Sequence, residues 1–194
     1  TVATIMRTRD CVGHVNDQNI VSSLSPGMGL AQGHRVTLRE GFVEIGFTDG
    51  ARTILEGPTT LEIRDRRSGF LREGQLTASV PPQAVGFTIE TPLMKVVDHG
   101  TEFGVWVERD QKTAEVHVLS GEVELDARGE DGPAPSSWRL TTGLAARVET
   151  SGSRRDVVVR ECSPSETRFV RSLPEVDATG APAAPPKTAE SARP

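Results

Sequence analysis

Apolar and polar residues alternate with a period of two along most of this chain. Val36 and Leu38 are separated by one polar residue, and Val43, Ile45 and Phe47 repeat the same spacing. Because successive side chains of a strand point to opposite faces, each set lies on one face of a sheet. No stretch sustains the period of a helix over several turns. The pattern predicts an all-β domain whose sheets have one buried and one solvent-facing side.

Turn-forming residues divide this pattern at regular intervals. Gly41, Gly57 and Gly74 each precede a new apolar run. Glycine adopts positive φ without steric cost, so such residues are expected to end strands about every 8–12 residues. Repeated short strands with glycine at the corners predict a short-strand β-solenoid or a flattened β-sandwich.

Residues 91–105 contain the most distinctive corner of the chain. Two apolar runs, residues 93–97 and 103–107, flank the polar turn at residues 98–101. Pro92 has no N–H to donate to a sheet, so it marks the start of a strand. The Asp, Gly and Thr of the turn can bond their own backbone, adopt positive φ and re-enter a strand. This stretch predicts a strand, a tight corner and a second strand.

The two ends of the chain are predicted to differ from its centre. Residues 1–26 form an N-terminal edge segment in this interpretation, and the β domain follows over residues 27–174. Ser163 and Glu166 form a capping box that predicts a short C-terminal helix. Residues 175–194 are rich in Pro and Ala and predict a disordered linker.

Composition restricts the classes of partner. The net charge is −5 and no basic patch dominates, so nucleic acid is not an expected partner. Aromatic residues make up only 4% of the chain, which favours packing roles for Trp106 and Trp138 over ligand stacking. No apolar run reaches the roughly 18 residues of a membrane span, and the start at Thr1 indicates a fragment whose parent could carry an anchor upstream. Cys11 and Cys162 could form a disulfide in an oxidising compartment, or could be unrelated buried thiols.

Candidate catalytic and metal-binding groups are sparse. Asp98, His99 and Glu102 crowd the corner, and His117 could lie on the next strand, so a metal site is conceivable. No His-x-His pair accompanies them, which favours a turn Asp, a solvated His and a Glu on the solvent-facing side. Thr101 has no nearby base, so nucleophilic catalysis has no support. We expect no enzyme activity and no cofactor.

The order of these motifs resembles the FecR-type domain of bacterial signal transduction, in the version common in planctomycete-type bacteria. The resemblance runs from about residue 27 to residue 174 and includes a Thr-Pro pair, an Asp-x-Gly-Thr-x-Phe corner and a Val-x-Val-x-x-Gly-x-Val run. The residues that carry this signature are Thr91, Pro92, Asp98, Gly100, Thr101, Phe103 and Gly121.

Membership of that family would imply a sensor and anti-sigma regulator anchored in the inner membrane. The FecR-type domain would lie in the periplasm, where it would receive a signal from an envelope protein or transducer. An extracytoplasmic-function sigma factor would be bound only by a cytoplasmic segment, which this sequence lacks. The alternative is a carbohydrate- or envelope-binding module that has kept the fold without the link to a sigma factor.

The corner residues are predicted to have a structural role, because nothing around them looks activated. Replacing Gly100 by Val should then unfold the domain, since a β-branched residue is strained where the turn needs positive φ. Urea unfolding of the purified variant measures this effect. A Gly100→Val protein as stable as the parent would contradict the structural role.

Overall fold

The computed structural model describes residues 1–17, 20–129, 132–151, 156–165 and 167–173. Apart from one 3-10 turn at Pro82–Ala84, the regular structure of these residues is entirely strand, which confirms the predicted all-β class. None of the described residues belongs to a helix long and apolar enough to cross a lipid bilayer. In chain order the strands are β1 (Ala3–Asp17), β2 (Ile20–Ser23), β3 (Gly29–Leu30), β4 (Arg35–Phe47), β5 (Arg52–Asp65), β6 (Ser68–Ser79), β7 (Thr88–Glu90), β8 (Met94–Asp98), β9 (Glu102–Val107), β10 (Thr113–Ser120), β11 (Glu122–Gly129), β12 (Gly132–Thr141), β13 (Ala145–Ser151) and β14 (Asp156–Glu161).

Strand β6 divides the sheet into two branches because its two halves have different neighbours. Residues 68–70 pair in parallel with β7, whereas residues 74–79 pair antiparallel with β9. The first branch continues in the order β7-β8-β11-β12, and the second in the order β9-β10-β13-β14. On the other side of β6, the long strands β5, β4 and β1 pair with one another and serve both branches.

One hydrophobic core lies between the two branches. Val96 of β8 and Val116 of β10 are both fully buried in it. The rings of Phe47 and Phe87 meet edge to face in the same core, with centroids 4.8 Å apart. Every strand pair except β6–β7 is antiparallel, which fits a flattened β-sandwich better than the parallel rungs of a solenoid.

The long strands bend where they pass from one branch to the other. A register shift interrupts the β4–β5 pairing between Leu38 and Phe42. Gly41 and Gly74 have φ values of 78° and 92° at this level. A Cβ atom on Gly74 would lie 2.2 Å from the carbonyl oxygen of Pro58, so only glycine permits this close approach of β5 and β6.

The N-terminal segment is built into the sheet. The 15-residue strand β1 pairs with β4 along one side and with β2 and β3 along the other. The segment predicted to lie at an edge therefore supplies an internal strand.

The predicted C-terminal helix is wrong for the residues that the structure describes. Residues 162–165 and 167–173 follow β14 without helical structure. Phe169 and Leu173 are both buried, and the segment lies across the sheet so that each contacts a different strand. A short helix starting at Ser163 would keep its residues close together and could not span these strands. The predicted linker at residues 175–194 lies outside the described residues.

Cys11 and Cys162 are free thiols, so the disulfide considered from the sequence is not formed. Cys11 belongs to β1, whereas Cys162 directly follows β14 at the far side of the second branch. Six strands separate β1 from β14 in the order of pairing. Among the described residues, no strand pairing brings Cys11 beside Cys162.

Candidate functional site: the outer face of the second branch

The predicted corner closes on the carboxylate of Asp98, which ends β8 and is fully buried. The backbone N–H of Gly100 donates to Asp98 Oδ2 at 2.7 Å, and the Thr101 hydroxyl contacts Asp98 Oδ1. Thr101 Oγ1 also lies 2.8 Å from the carbonyl oxygen of Glu122, at the start of β11. Burial raises the pKa of Asp98, although these hydrogen bonds act in the opposite direction. Gly100 has a φ of 97°. A Cβ atom on Gly121 would lie 2.4 Å from the carbonyl oxygen of Gly100.

The other signature residues complete the same corner from its two ends. The Thr91 hydroxyl accepts the backbone N–H of Met94 at 2.9 Å and so fixes the start of β8, two residues after Pro92. Phe103 of β9 is fully buried in the core. The signature residues thus lie on or between β8, β9 and β11, and Thr101 links the corner to the start of β11.

The metal site considered at this corner is not assembled. The aspartate is already held by the turn itself, and His99 Nε2 lies 3.4 Å from Glu124 Oε2 at the surface. Glu102 of β9 forms an ion pair with Arg171, which lies in the segment after β14. His117 lies on β10, away from the turn. These contacts favour the interpretation that the four candidate metal ligands have structural or surface roles.

A row of side chains crosses the outer face of the second branch. Strand register places Glu56, Gln75, Trp106, Glu115 and Arg147 beside one another on β5, β6, β9, β10 and β13. The alternation along β10 predicts that this face is exposed to solvent. Glu115 is nevertheless only 3% exposed, because another part of the chain covers it.

Residues 162–165 and 167–173, which we call the C-terminal strap, cover this face. The Phe169 ring lies directly over Gly104 of β9, where a Cβ atom would come within 2.4 Å of the ring. The same ring packs against His117, with centroids 5.1 Å apart. At the far end, the carbonyl of Leu173 accepts a hydrogen bond from Arg7 Nη1 of β1 at 3.2 Å. The strap therefore crosses the branch from β14 to β1.

The buried carboxylate of Glu115 holds the strap on the sheet. It contacts His117 Nε2 at 3.0 Å, Arg147 Nη2 at 2.6 Å and Arg168 Nη1 of the strap at 2.8 Å. The backbone N–H of Ser165 donates to His117 Nδ1 at 3.2 Å, so the ring hydrogen lies on Nε2 and is donated to Glu115. The hydrogen bond from His117, together with Arg147 and Arg168, holds the pKa of Glu115 at about 2, against the opposing effect of burial.

Glu115, His117 and Cys162 are the kinds of residue that bind metal ions, and their ligand atoms lie within 4.8 Å of one another. Their environment does not fit a cation. Both nitrogens of His117 are engaged, and two guanidinium groups already neutralise Glu115. Burial raises the pKa of the Cys162 thiol, which disfavours the thiolate needed either for metal binding or for nucleophilic attack. The cluster is suited to holding the strap.

Sequence reasoning missed the strap because its contacts join residues far apart in the chain. Glu115 and Arg168 are 53 positions apart, and no local pattern links them. The available signals were weak: Gly104 interrupts an otherwise bulky strand, and Phe169 is the last aromatic residue of the chain. A glycine in a strand interior indicates close approach by another group, but it does not identify that group.

Removing either side of the Phe169–Gly104 contact should release the strap. Phe169→Ala removes the buried ring, and Gly104→Val places methyl groups where the ring lies. We expect roughly tenfold or faster amide hydrogen exchange in residues 165–173 for either variant, with the rest of the sheet unchanged. Phe70→Ala is the matched control, because it removes a ring from β6 that does not contact the strap. Unchanged exchange in the strap of both variants would contradict this contact.

The stability that Glu115 provides should depend on pH. Its folded pKa of about 2 lies below the ordinary 4.5, so the ionised carboxylate stabilises the fold above about pH 4.5 and loses this effect as the pH falls toward 2. The free energy of unfolding of Glu115→Gln should fall below that of the parent by on the order of 3 kcal/mol at neutral pH. Urea unfolding from pH 7 to pH 2 should show this difference shrinking. Glu40→Gln, which changes an exposed carboxylate of β4, should give no such trend, and a pH-independent difference for Glu115→Gln would contradict the assignment.

Comparison with known proteins places this geometry in a family. Residues 35–124 match the sequence model of the family described as FecR protein. Two crystal structures of a candidate anti-sigma factor from Parabacteroides distasonis share the fold, with TM-scores of 0.53 and 0.50 and 17% sequence identity in both cases. In each case the similarity covers 66% of this chain and 59% of the other, so the chain spans well under two thirds of that protein. No curated protein is significantly similar to the sequence.

The match to the family and the structural likeness agree on the same region. The matched residues begin at β4, include the corner at residues 98–103 and end within β11. They therefore contain the strands that the signature residues join. On this evidence residues 35–124 belong to a FecR-type domain.

Proposed function

We propose that this chain is the extracytoplasmic sensing part of a regulator of an extracytoplasmic-function sigma factor, and that it acts without catalysis. The FecR match over residues 35–124 supports the regulatory role, and the fold shared with a candidate anti-sigma factor is compatible with it. The observation that carries the sensing role is the C-terminal strap. An inner-membrane anchor and a sigma-binding segment would belong to other parts of the parent protein.

The strap has the properties of an element with two arrangements. It rests on the sheet through the buried side chains of Phe169 and Leu173, the buried Glu115 carboxylate and a few hydrogen bonds and ion pairs. Its described residues form no strand or helix of their own. A segment held by so few contacts can be displaced without unfolding the core beneath it. A partner that binds one arrangement better than the other would shift the population and so transmit a signal.

The non-enzymatic role is supported by the state of the reactive groups. The Thr101 hydroxyl is held by Asp98 and by the carbonyl of Glu122, and both Thr101 and Asp98 are buried away from any substrate. Glu115 is neutralised by arginines, and the Cys162 thiol has a raised pKa. Each group therefore has a structural task that accounts for its environment.

An envelope protein that adds a strand to the edge of β14 is the partner that this fold suits best. Among the described residues, β14 pairs only with β13, so its other side is an open edge. Open strand edges bind extended segments of other proteins through main-chain hydrogen bonds. Because β14 leads directly into the strap, a strand bound there would act on the strap.

Release of the strap should alter sigma-dependent transcription. Phe169→Ala in the full-length gene should change the signal-independent output of a sigma-dependent reporter several-fold, because it shifts the strap toward release. Phe70→Ala, at equal protein level, should leave the reporter unchanged. Protease added to intact spheroplasts should cleave the strap, as expected for an extracytoplasmic domain.

The outcome of this experiment also separates the alternatives. A reporter that does not respond to Phe169→Ala, although hydrogen exchange has established that the strap is released, would contradict the sensing role. An envelope-binding module without a link to a sigma factor would give that result. A strap protected from protease in spheroplasts but cleaved after lysis would contradict the extracytoplasmic location.

A further inference from the structure

A groove of about 580 Å³ lies on the outside of the domain at the level of the strand bends. It is lined by residues of β4, β5, β6 and β9 and by the short connection after β9. This volume is within the range of sites that bind small molecules, roughly 300–1,000 Å³. The side chains that its chemistry depends on are Arg39, Glu56, Glu73, Gln75, Trp106 and Arg109.

Trp106 supplies an aromatic wall to this groove. The guanidinium of Arg168 lies 4.4 Å from the centroid of the indole ring and is also bound to Glu115 of β10. Trp106 lines the groove together with its register neighbour Gln75 of β6 and with Glu56 of β5. The strap therefore contacts the same tryptophan that lines the groove. The arginine stack also fixes the orientation of the ring.

The polar lining of the groove is balanced in charge. Arg39 and Arg109 are two cations, and Glu56 and Glu73 are two anions. Arg109 lies 4.0 Å from Glu73 at the surface, and Gln75 Nε2 donates to Glu56 at 2.5 Å. Since the charges cancel, the lining does not select a phosphate, a carboxylate or a cation. It offers hydrogen-bond donors and acceptors in similar number, which suits a ligand whose groups both donate and accept.

We propose that this groove binds a neutral saccharide, with one pyranose ring packed against Trp106. The aliphatic C–H face of a pyranose matches an indole face, and its hydroxyl groups match a lining that contains carboxylate, amide and guanidinium groups together. A peptide that bound as an added strand would need an edge strand, and β4, β5, β6 and β9 each lie between two other strands of the sheet. The break in the β4–β5 pairing between Leu38 and Phe42 is internal to the sheet. This inference deepens the proposed sensing function by naming a ligand class, and it can be tested without the sigma factor.

The groove is connected to the strap through Gln75. Its side-chain amide contacts Glu56 in the groove and the carbonyl oxygen of Arg168 in the strap, the latter at 3.4 Å. Trp106 also connects the groove with the strap, because its ring contacts Arg168 of the strap and lines the groove. A sugar that moves either side chain would therefore change the contacts that hold the strap.

The test measures saccharide binding to the whole chain by isothermal titration calorimetry. The probes are neutral oligosaccharides (cello-, xylo-, malto- and chito-oligosaccharides, and β-1,3-glucans), beside the acidic polygalacturonate and alginate oligomers. We expect at least one neutral oligosaccharide to bind with a dissociation constant in the micromolar to millimolar range. Failure of every neutral probe at millimolar concentration, or binding of acidic probes alone, would overturn the proposal.

Matched variants locate the binding site. Trp106→Ala and Glu73→Gln should each weaken binding at least tenfold, and Glu73→Gln alters only a partly exposed side chain, so it should fold normally. Trp138→Ala, which removes the other tryptophan from β12 of the first branch, should bind as the parent does. Equal binding by Trp106→Ala and the parent would overturn the assignment to this groove.

The two proposals fail in different ways. Loss of the reporter response with intact sugar binding would contradict the sigma-factor role alone. Absence of sugar binding with an intact reporter response to Phe169→Ala would contradict the saccharide site alone.

Discussion

The fold depends on a steric constraint at one level of the sheet, where neighbouring strands must bend together. Gly41 lies against the backbone of Asp10, Gly57 against that of Glu40, and Gly74 against that of Pro58, and a Cβ at any of these positions would lie within 2.7 Å of a neighbouring strand. Without these close approaches, β4, β5 and β6 would remain one flat sheet with a single exposed apolar face. The bend allows the same strands to contribute to both layers, and it creates the groove on the outside.

The sequence predicted well which strand residues face the hydrophobic core. Val36, Leu38, Val43 and Ile45 are buried as their alternation indicates, because period-two spacing directly reflects which face of a strand a residue occupies. The corner at residues 98–101 was also predicted, since turn chemistry is local. The strap could not be predicted in this way. The capping box at Ser163 is a local signal for a helix. The burial of Phe169 and Leu173 against strands that are distant in the sequence overrides this signal.

The outward half of the second branch is where sequence reasoning was least informative. An alternating strand such as β10 has the same pattern whether its polar side meets water or a covering segment. The alternation along β10 predicts that Glu115 and His117 face solvent, yet their exposed fractions are only 3% and 2%. What identifies them as buried is the set of complementary groups around them, two arginines and a backbone N–H from the strap. A buried carboxylate requires such partners, and they lie 32, 53 and about 50 positions away.

The route of the strap has a mechanical consequence. Its contacts follow one another along the face: Leu173 on β1, Arg171 on Glu102, Phe169 over Gly104, and Arg168 on Glu115. A force applied at Leu173 and directed away from the sheet would load these contacts one at a time, as in unzipping, instead of all together, as in shear. The strap would then yield at low tension while the hydrogen-bonded strands below it resist. A tether attached to this end could act as a tension-sensitive release that leaves the sandwich folded.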